Sequence, residues 1–353
     1  MANPITMNNL LKILTLVAFL SVATPFKAVA QERFRIMEYN VENLFDTIPS
    51  KQYADEEFTP CGSRKWDSPR YWAKQGRLAR VIAAAGGDTP VELVGLIEVE
   101  NDTVLHHLTR RTSLARLGYE YLLTDGPDVR GINVALLYQP GRFLPIHHEG
   151  LRIPTIEGQR PTRDVLFVEG LLPTLDTLSV FVTHFPSRRG GKHETEAHRC
   201  RVAQVIRHKV DSILKQRPCA LIVVMGDMND EVQDESLKNM LQVKPAHTDD
   251  FTEGALYDVL PKCVEHKEIT GTYYYQQEWS CIDHIIVSGA FLAEDASMLA
   301  SKFCRILAYP FLLTASESKF PTTYRPKRNY LGPFYQGGFS DHLPLLLEFT
   351  VKR

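Results

Sequence analysis

Short apolar, β-branched runs recur along the chain and alternate with two longer stretches of helical period. The strand-like runs are Phe34–Tyr39, Leu93–Ile97, Val134–Tyr138, Val165–Leu171, Leu178–Thr183, Ala220–Met225, Ile282–Ser288 and Leu345–Val351. Several are hydrophobic almost without interruption, the pattern of a strand covered on both faces. Arg70–Ala85 has helical period, and so does Glu194–Gln216, where Val202, Ile206, Val210 and Ile213 share one face. Strands outnumber helices and many links read as hairpins, which predicts an α/β sandwich of mixed sheets rather than a simple βαβ wheel. Thr47–Ser68 and Ser316–Gly338 are rich in Pro, Gly and aromatics and read as long surface loops.

The polar residues that interrupt these runs carry the chemistry. Asn40 and Glu42 follow the first strand, and Glu98 follows the second. His184 ends a strand, Asp227 and Asn229 follow another, Asp283 and His284 interrupt a third, and Ser340-Asp341-His342 precedes the last. Carboxylates, amides and imidazoles set repeatedly at strand ends can converge on one rim of a sheet, where α/β proteins build sites. Glu98, Asp341, Asp227, Asn40 and Asn229 offer oxygen, and no Cys/His set has zinc spacing. That donor set suits Mg²⁺ or Mn²⁺, ions that take carboxylate and water oxygens and neutralise phosphate. His184 and His342 remain to donate hydrogen bonds or move protons.

Basic residues point to the same class of ligand. Arg188, Arg189 and Lys192 follow His184 and flank Gly190-Gly191; arginine forks of this kind bind phosphate. Arg325, Lys327 and Arg328 mix with Tyr324, Tyr330, Phe334 and Tyr335, a combination able to follow a nucleic-acid backbone and stack bases.

Composition and charge narrow the setting. Residues 1–30 read as a signal peptide: Lys12 precedes the apolar run Ile13–Val22, and Ala28-Val29-Ala30 offers a small-x-small cleavage site. The run is too short to cross a bilayer, which takes about 20 residues, and no later stretch is long enough. Residues 31–353 are then a single catalytic domain, exported to the periplasm or secreted, acting as a monomer without membrane insertion. Losing Lys12 and Lys27 but no acid moves the formal charge from −2 to −4, so the chain as a whole does not attract a polyanion. Six cysteines allow 15 full pairings, and at most one or two disulfides are expected. Cys200, Cys219 and Cys281 lie in or beside apolar patterns and read as buried free thiols.

These segments together resemble a known family. Met37-Glu38-Tyr39-Asn40-Val41-Glu42-Asn43-Leu44-Phe45, Leu96-Ile97-Glu98-Val99-Glu100, Arg130-Gly131-Ile132-Asn133, Thr183-His184-Phe185-Pro186-Ser187, Gly226-Asp227-Met228-Asn229, Ile282-Asp283-His284-Ile285 and Ser340-Asp341-His342 are similar to the ordered motifs of the endonuclease/exonuclease/phosphatase superfamily. The resemblance implies a DNase-I-like four-layer sandwich: two mixed β-sheets flanked by helices. It also implies metal-dependent, in-line attack of water on a phosphate ester, with no covalent enzyme intermediate. On these positions it makes Glu98, with Asn40, the metal partner and Asp341 a further acid near the metal. Asp227 would orient the attacking water, Asn229 and His184 would hold the scissile phosphate, and Asp283 would pair with His342. Arg130 takes the place of the middle motif, and Ile97 replaces a Gln usual before the metal Glu. Arg188 and Arg189 are added from their own chemistry as phosphate binders. The substrate expected is nucleic acid, cut by a nuclease-like phosphodiesterase. The alternatives are a phosphomonoesterase or phospholipase C acting on sugar, inositol or lipid headgroups, and a non-catalytic binding protein of the same fold. No exposed apolar hairpin is expected, which weighs against a lipid substrate.

Overall fold

Alternation within single strands shows how the layers form. On Leu221–Asp227 (β8), Leu221, Val223 and Met225 face one apolar cluster, while Ile222 and Val224 face another. The period of two therefore separates two buried faces rather than a buried and a wet one. The computed structural model describes residues 32–246, 251–259, 261–293, 295–301, 303–316 and 323–352. The expected signal peptide lies outside these described residues. From Arg33 onward the chain forms one compact unit.

The first sheet contains Glu32–Leu44 (β1), Leu93–Val99 (β2), Glu120–Leu123 (β3), Asn133–Tyr138 (β4), Pro261–Lys262 (β11), Cys304–Ile306 (β16) and Leu345–Val351 (β21), in the order β11-β16-β21-β1-β2-β4-β3. Met298–Ala300 (β15) also pairs with β21. The second sheet contains Leu144–Leu151 (β5), Val165–Leu171 (β6), Thr177–His184 (β7), β8, Val243–Pro245 (β9), Leu256–Asp258 (β10) and Asp283–Ser288 (β14), in the order β5-β6-β7-β8-β14-β10-β9. Both sheets are mixed: β1–β2 and β7–β8 are parallel, β2–β4 and β8–β14 antiparallel.

Helix Ser68–Gly86 (α1) starts on Asp67, whose side chain accepts the Arg70 N–H, and sends Leu78, Val81 and Ile82 into the larger cluster. Helix Glu196–Gln216 (α3) places Val202, Ile206, Val210 and Ile213 against the outer face of the second sheet, as its periodicity predicted. Burying each such side chain contributes about 1.5–3 kcal/mol. The sheets approach closely at Gly95 of β2, where a Cβ would lie 2.9 Å from the Met225 sulfur of β8. The architecture is the expected DNase-I-like α/β sandwich.

Every strand run read from the sequence is a strand, but other expectations need correction. Asp102–Arg110 (α2) is a helix that was not anticipated, capped by the Asn101 side chain. The supposed loop Ser316–Gly338 carries the strand Thr323–Pro326 and a tight hairpin of Tyr330–Leu331 and Phe334–Tyr335. That hairpin exposes Leu331 and Phe334, so an apolar hairpin is present after all. All six cysteines are free thiols, and Cys219 is exposed rather than buried because it sits in the turn between α3 and β8. No helix among the described residues is long and apolar enough to cross a membrane.

Candidate active site

The site sits where the ends of β1 and β2 face the ends of β7 and β8 and the start of β14. The first-sheet side is built on backbone that leaves the strand conformation. Register slips between Asn40 and Leu44 on β1 and between Ile97 and Val99 on β2. Glu42, Asn43 and Glu98 there adopt left-handed φ values of 52°, 55° and 68°. Non-glycine residues hold such angles only where surrounding structure compensates the strain. The compensation is visible: the Asn43 N–H donates to Glu98 Oε2 at 2.8 Å, and the Glu42 carboxylate accepts the N–H groups of Asn329 and Tyr330. The Lys74 ammonium, fully buried, donates to the Glu42 carbonyl.

On the second-sheet side, ordinary pairing places the groups. His184 is the strand partner of Asp227, and Asp227 is the partner of Asp283. Gly226, at φ 148°, lets these strands run close, since a Cβ there would strike the Thr183 carbonyl. Asp227 accepts the Asn40 side-chain amide at 3.0 Å through one oxygen and the Asn229 N–H at 3.0 Å through the other. Burial first, then the neighbouring Asp283, pushes its carboxyl up to about 7. His342 Nδ1 lies 2.8 Å from Asp283 Oδ2, and its Nε2 lies 3.8 Å from Asp227. Burial alone would depress this imidazole, but the charges of Asp283 and Asp227 override it and hold His342 protonated well above the ordinary range. The Ser340 hydroxyl donates to the Asn40 carbonyl at 2.6 Å and accepts the His342 N–H, tying the last motif to the first.

His184 is neutral. Burial, then the charges of Arg163 and Arg130, lowers its pKa well below the usual value. Arg163 Nη2 is 3.2 Å from His184 Nε2, and a guanidinium only donates, so Nε2 is the accepting nitrogen and Nδ1 carries the proton. That Nδ1–H and the Nε of Arg163 are buried without a hydrogen-bond partner among the described residues. Arg163 was missed in the sequence. Its only signal is a charged Arg163-Asp164 pair set directly before a buried strand.

The expected residues fall into two groups. Glu98, Arg130, His184, Arg188, Arg189, Asp227, Asn229, Asp341 and His342 line one cavity of about 520 Å³, with Arg163 at its wall. Asn40 and Asp283 stand behind that lining and hold Asp227 and His342. Arg188 is less free than expected: its guanidinium donates to the Asn229 carbonyl and to Asp234, and Lys192 also pairs with Asp234. Arg189 is exposed at the rim. His284 belongs to the frame, because its two nitrogens face the Asp258 carboxylate and the Asp230 carbonyl.

Two donor sets can be weighed for a cation. Ligand atoms of Asp227, Asp283 and His342 lie within 4.8 Å of one another, but the Asp283–His342 contact is a hydrogen bond and occupies the imidazole nitrogen. Glu98, by contrast, lines the cavity with Oε1 3.8 Å from the neutral His184, and Asp341 adds a further carboxylate to the same lining, whereas the expected Asn40 is spent on the Asp227 carboxylate and the Glu42 N–H. These hard donors fit Mg²⁺ or Mn²⁺.

Comparison with known proteins agrees with this construction. The sequence profile of the endonuclease/exonuclease/phosphatase family matches residues 35–351. No curated protein matches the sequence. Among solved structures, an endonuclease/exonuclease/phosphatase family protein from Bacteroides thetaiotaomicron is 15% identical with a TM-score of 0.57, over 91% of this chain and 99% of that one. Truncated TDP2 from Caenorhabditis elegans is 14% identical with a TM-score of 0.53, over 90% and 98%. The mannosyl-6-phosphatase of B. thetaiotaomicron is 15% identical with a TM-score of 0.53, over 90% and 99%. At these identities the neighbours establish the fold, while the profile covers the chain from the first strand to the last. The chain therefore belongs to the endonuclease/exonuclease/phosphatase family and is a phosphoric ester hydrolase.

Proposed function

We propose that this protein hydrolyses a small organic phosphate ester by direct attack of water on phosphorus, with Mg²⁺ or Mn²⁺ bound, as an exported enzyme. The observation that carries the reading is the pairing of a buried carboxylate, Asp227, with a protonated imidazole, His342, on one cavity. Asp227, fixed by Asn40 and Asn229, is placed to orient water and accept its proton. His342, held by Asp283, has an Nε2–H to give to the leaving oxygen. Arg163, Arg130 and Arg189 supply donors for the phosphoryl oxygens. Glu98 and Asp341 would hold the cation, which supplies neutralising charge at phosphate.

The preference for a small ester over the nucleic acid expected from sequence rests on charge. Arg188 and Lys192 are committed to Asp234, Arg328 lies 3.6 Å from Asp341, and Arg64 and Arg70 cover the rings of Tyr330 and Tyr335. Arg188, Lys192 and Arg328 thus have acids beside them, which leaves less uncompensated positive charge next to the cavity for a polymer's phosphates. The nuclease-like phosphodiesterase keeps the exposed Arg189 at the rim and the exposed Arg325 and Lys327 in its favour.

The test is a parallel assay of single- and double-stranded DNA, RNA, sphingomyelin, inositol phosphates and hexose phosphates, with EDTA and with Mg²⁺ restored. The small esters should turn over fastest, and all activity should vanish with EDTA and return with the ion. Rapid DNA or RNA cleavage with small esters untouched would defeat the substrate reading. Indifference to the chelator would defeat the metal assignment.

A further inference from the structure

One wall of the cavity is a two-stranded hairpin, Tyr273–Tyr275 (β12) and Glu278–Ser280 (β13), that the catalytic arrangement does not use. Its two faces are chemically different. Tyr274 and Trp279 face away and pack on each other, with ring centroids 5.1 Å apart. Tyr273, Tyr275, Glu278 and Ser280 line the cavity as two cross-strand pairs, Tyr273 with Ser280 and Tyr275 with Glu278.

The aromatic half forms a ladder leading out from the reacting end. The Tyr273 ring lies over His342 with centroids 4.7 Å apart. Tyr275 follows 6.3 Å further, its plane within 16° of that of Tyr273. Tyr275 is 59% exposed although it lines the cavity, an aromatic side chain left in water at the mouth. The polar half is equally uncommitted: no side-chain hydrogen bond to Gln276, Glu278 or Ser280 occurs among the described residues. Gln276 and Gln277 form the turn with left-handed φ values of 48° and 71°, where glycine or asparagine would be easier. A strained turn that keeps an amide at the cavity rim is where a functional contact is expected.

We propose that this hairpin binds the group esterified to the reacting phosphate, and that this group is a polyhydroxylated six-membered ring, a sugar or cyclitol. The inference rests on the hydrolase reading above and names its substrate class. The flat C–H face of such a ring matches the tyrosine faces, while its hydroxyl edge matches a carboxylate, a hydroxyl and an amide. Glu278 disfavours a polynucleotide, whose neighbouring phosphates it would repel, but it accepts hydrogen bonds from neutral hydroxyls. The guanidinium groups at the other end of the cavity take the phosphate.

The experiment compares kcat/KM for a hexose 6-phosphate, an inositol monophosphate, a nucleoside monophosphate and ethyl phosphate, in Mg²⁺, for the full chain and for Tyr275→Ala, Tyr275→Phe and Glu278→Ala. The ratio of the preferred ring phosphate to ethyl phosphate should fall about tenfold or more in Tyr275→Ala and Glu278→Ala, a loss typical of one stacked ring or one good hydrogen bond, and should persist in Tyr275→Phe. Which ring phosphate leads distinguishes sugar from cyclitol. An unchanged ratio overturns the proposal, and so does a leading nucleoside monophosphate whose preference depends on Tyr275. Calorimetric binding of hexose 6-phosphate and inositol monophosphate in EDTA separates the two layers of the inference. If no ester turns over but binding of either is lost in Tyr275→Ala, the subsite stands and the hydrolase reading falls. If binding is equal in both proteins, the subsite falls.

Discussion

The two sheets deliver their functional groups by opposite means. On the second sheet, His184, Asp227 and Asp283 occupy consecutive strand partners, so regular hydrogen-bonded geometry sets their spacing. On the first sheet, Glu98 and the segment after Asn40 sit on paired bulges with three left-handed non-glycine residues. The proton-handling side is thus a rigid lattice. The oxygen-donor side is a strained surface that the Glu42 carboxylate, Lys74 and the Asn43 N–H hold in place. Mg²⁺ demands near-octahedral oxygens, so those compensating hydrogen bonds would matter on this side as strand register matters for proton transfer on the other.

Substitutions should separate these roles. The largest effect belongs to the proton-handling pair, Asp227 on the second sheet and His342, which precedes β21 but is held by Asp283 of the second sheet: Asp227→Asn and His342→Ala should each lower kcat by about 10³–10⁴ with little change in the metal concentration giving half-maximal rate. A near-normal rate in stopped-assay kinetics would remove either residue from the mechanism. On the strained side, Glu98→Gln should behave differently, raising the half-maximal Mg²⁺ requirement by roughly tenfold or more as its main effect. An unchanged Mg²⁺ titration would break the comparison.

A smaller effect, on stability, sharpens it further. Burial would lower the His284 pKa, but the Asp258 carboxylate and the Asp230 carbonyl raise it to about 9, and both ring nitrogens donate. The folded pKa therefore exceeds the unfolded one, near 6.5. Its stabilisation is complete below about pH 6.5 and is lost as pH rises through about 9, an effect on the order of 3 kcal/mol. Urea midpoints at pH 6, 7.5 and 9 should show this decline and His284→Gln should flatten it; a midpoint independent of pH in the parent protein would exclude the linkage.

How much of this was legible in the sequence follows from the same contrast. The strands and α3 announced themselves because burial imposes a period on them, and Asp227 and His342 stand at the ends of periodic runs. Helix α2 did not: it is only nine residues long and carries polar groups between Val104, Leu105 and Leu108. Glu98 could be placed after a strand but its left-handed backbone could not, since no glycine marks it. Arg163 and the Tyr273 ladder acquire their roles only when segments far apart in sequence are folded together. The commitment of Arg188 to Asp234 is likewise invisible in a line of residues, where every arginine looks available.

The Ser340 bridge between the Asn40 carbonyl and the His342 amide has a consequence for biogenesis. β21 lies beside β1 in the first sheet, so an early-made strand and a much later one are neighbours, and the imidazole arrives with the later of them. A nascent or truncated chain ending before residue 340 would carry nearly all of the acids but not the imidazole, so the centre assembles only once this later segment has been made.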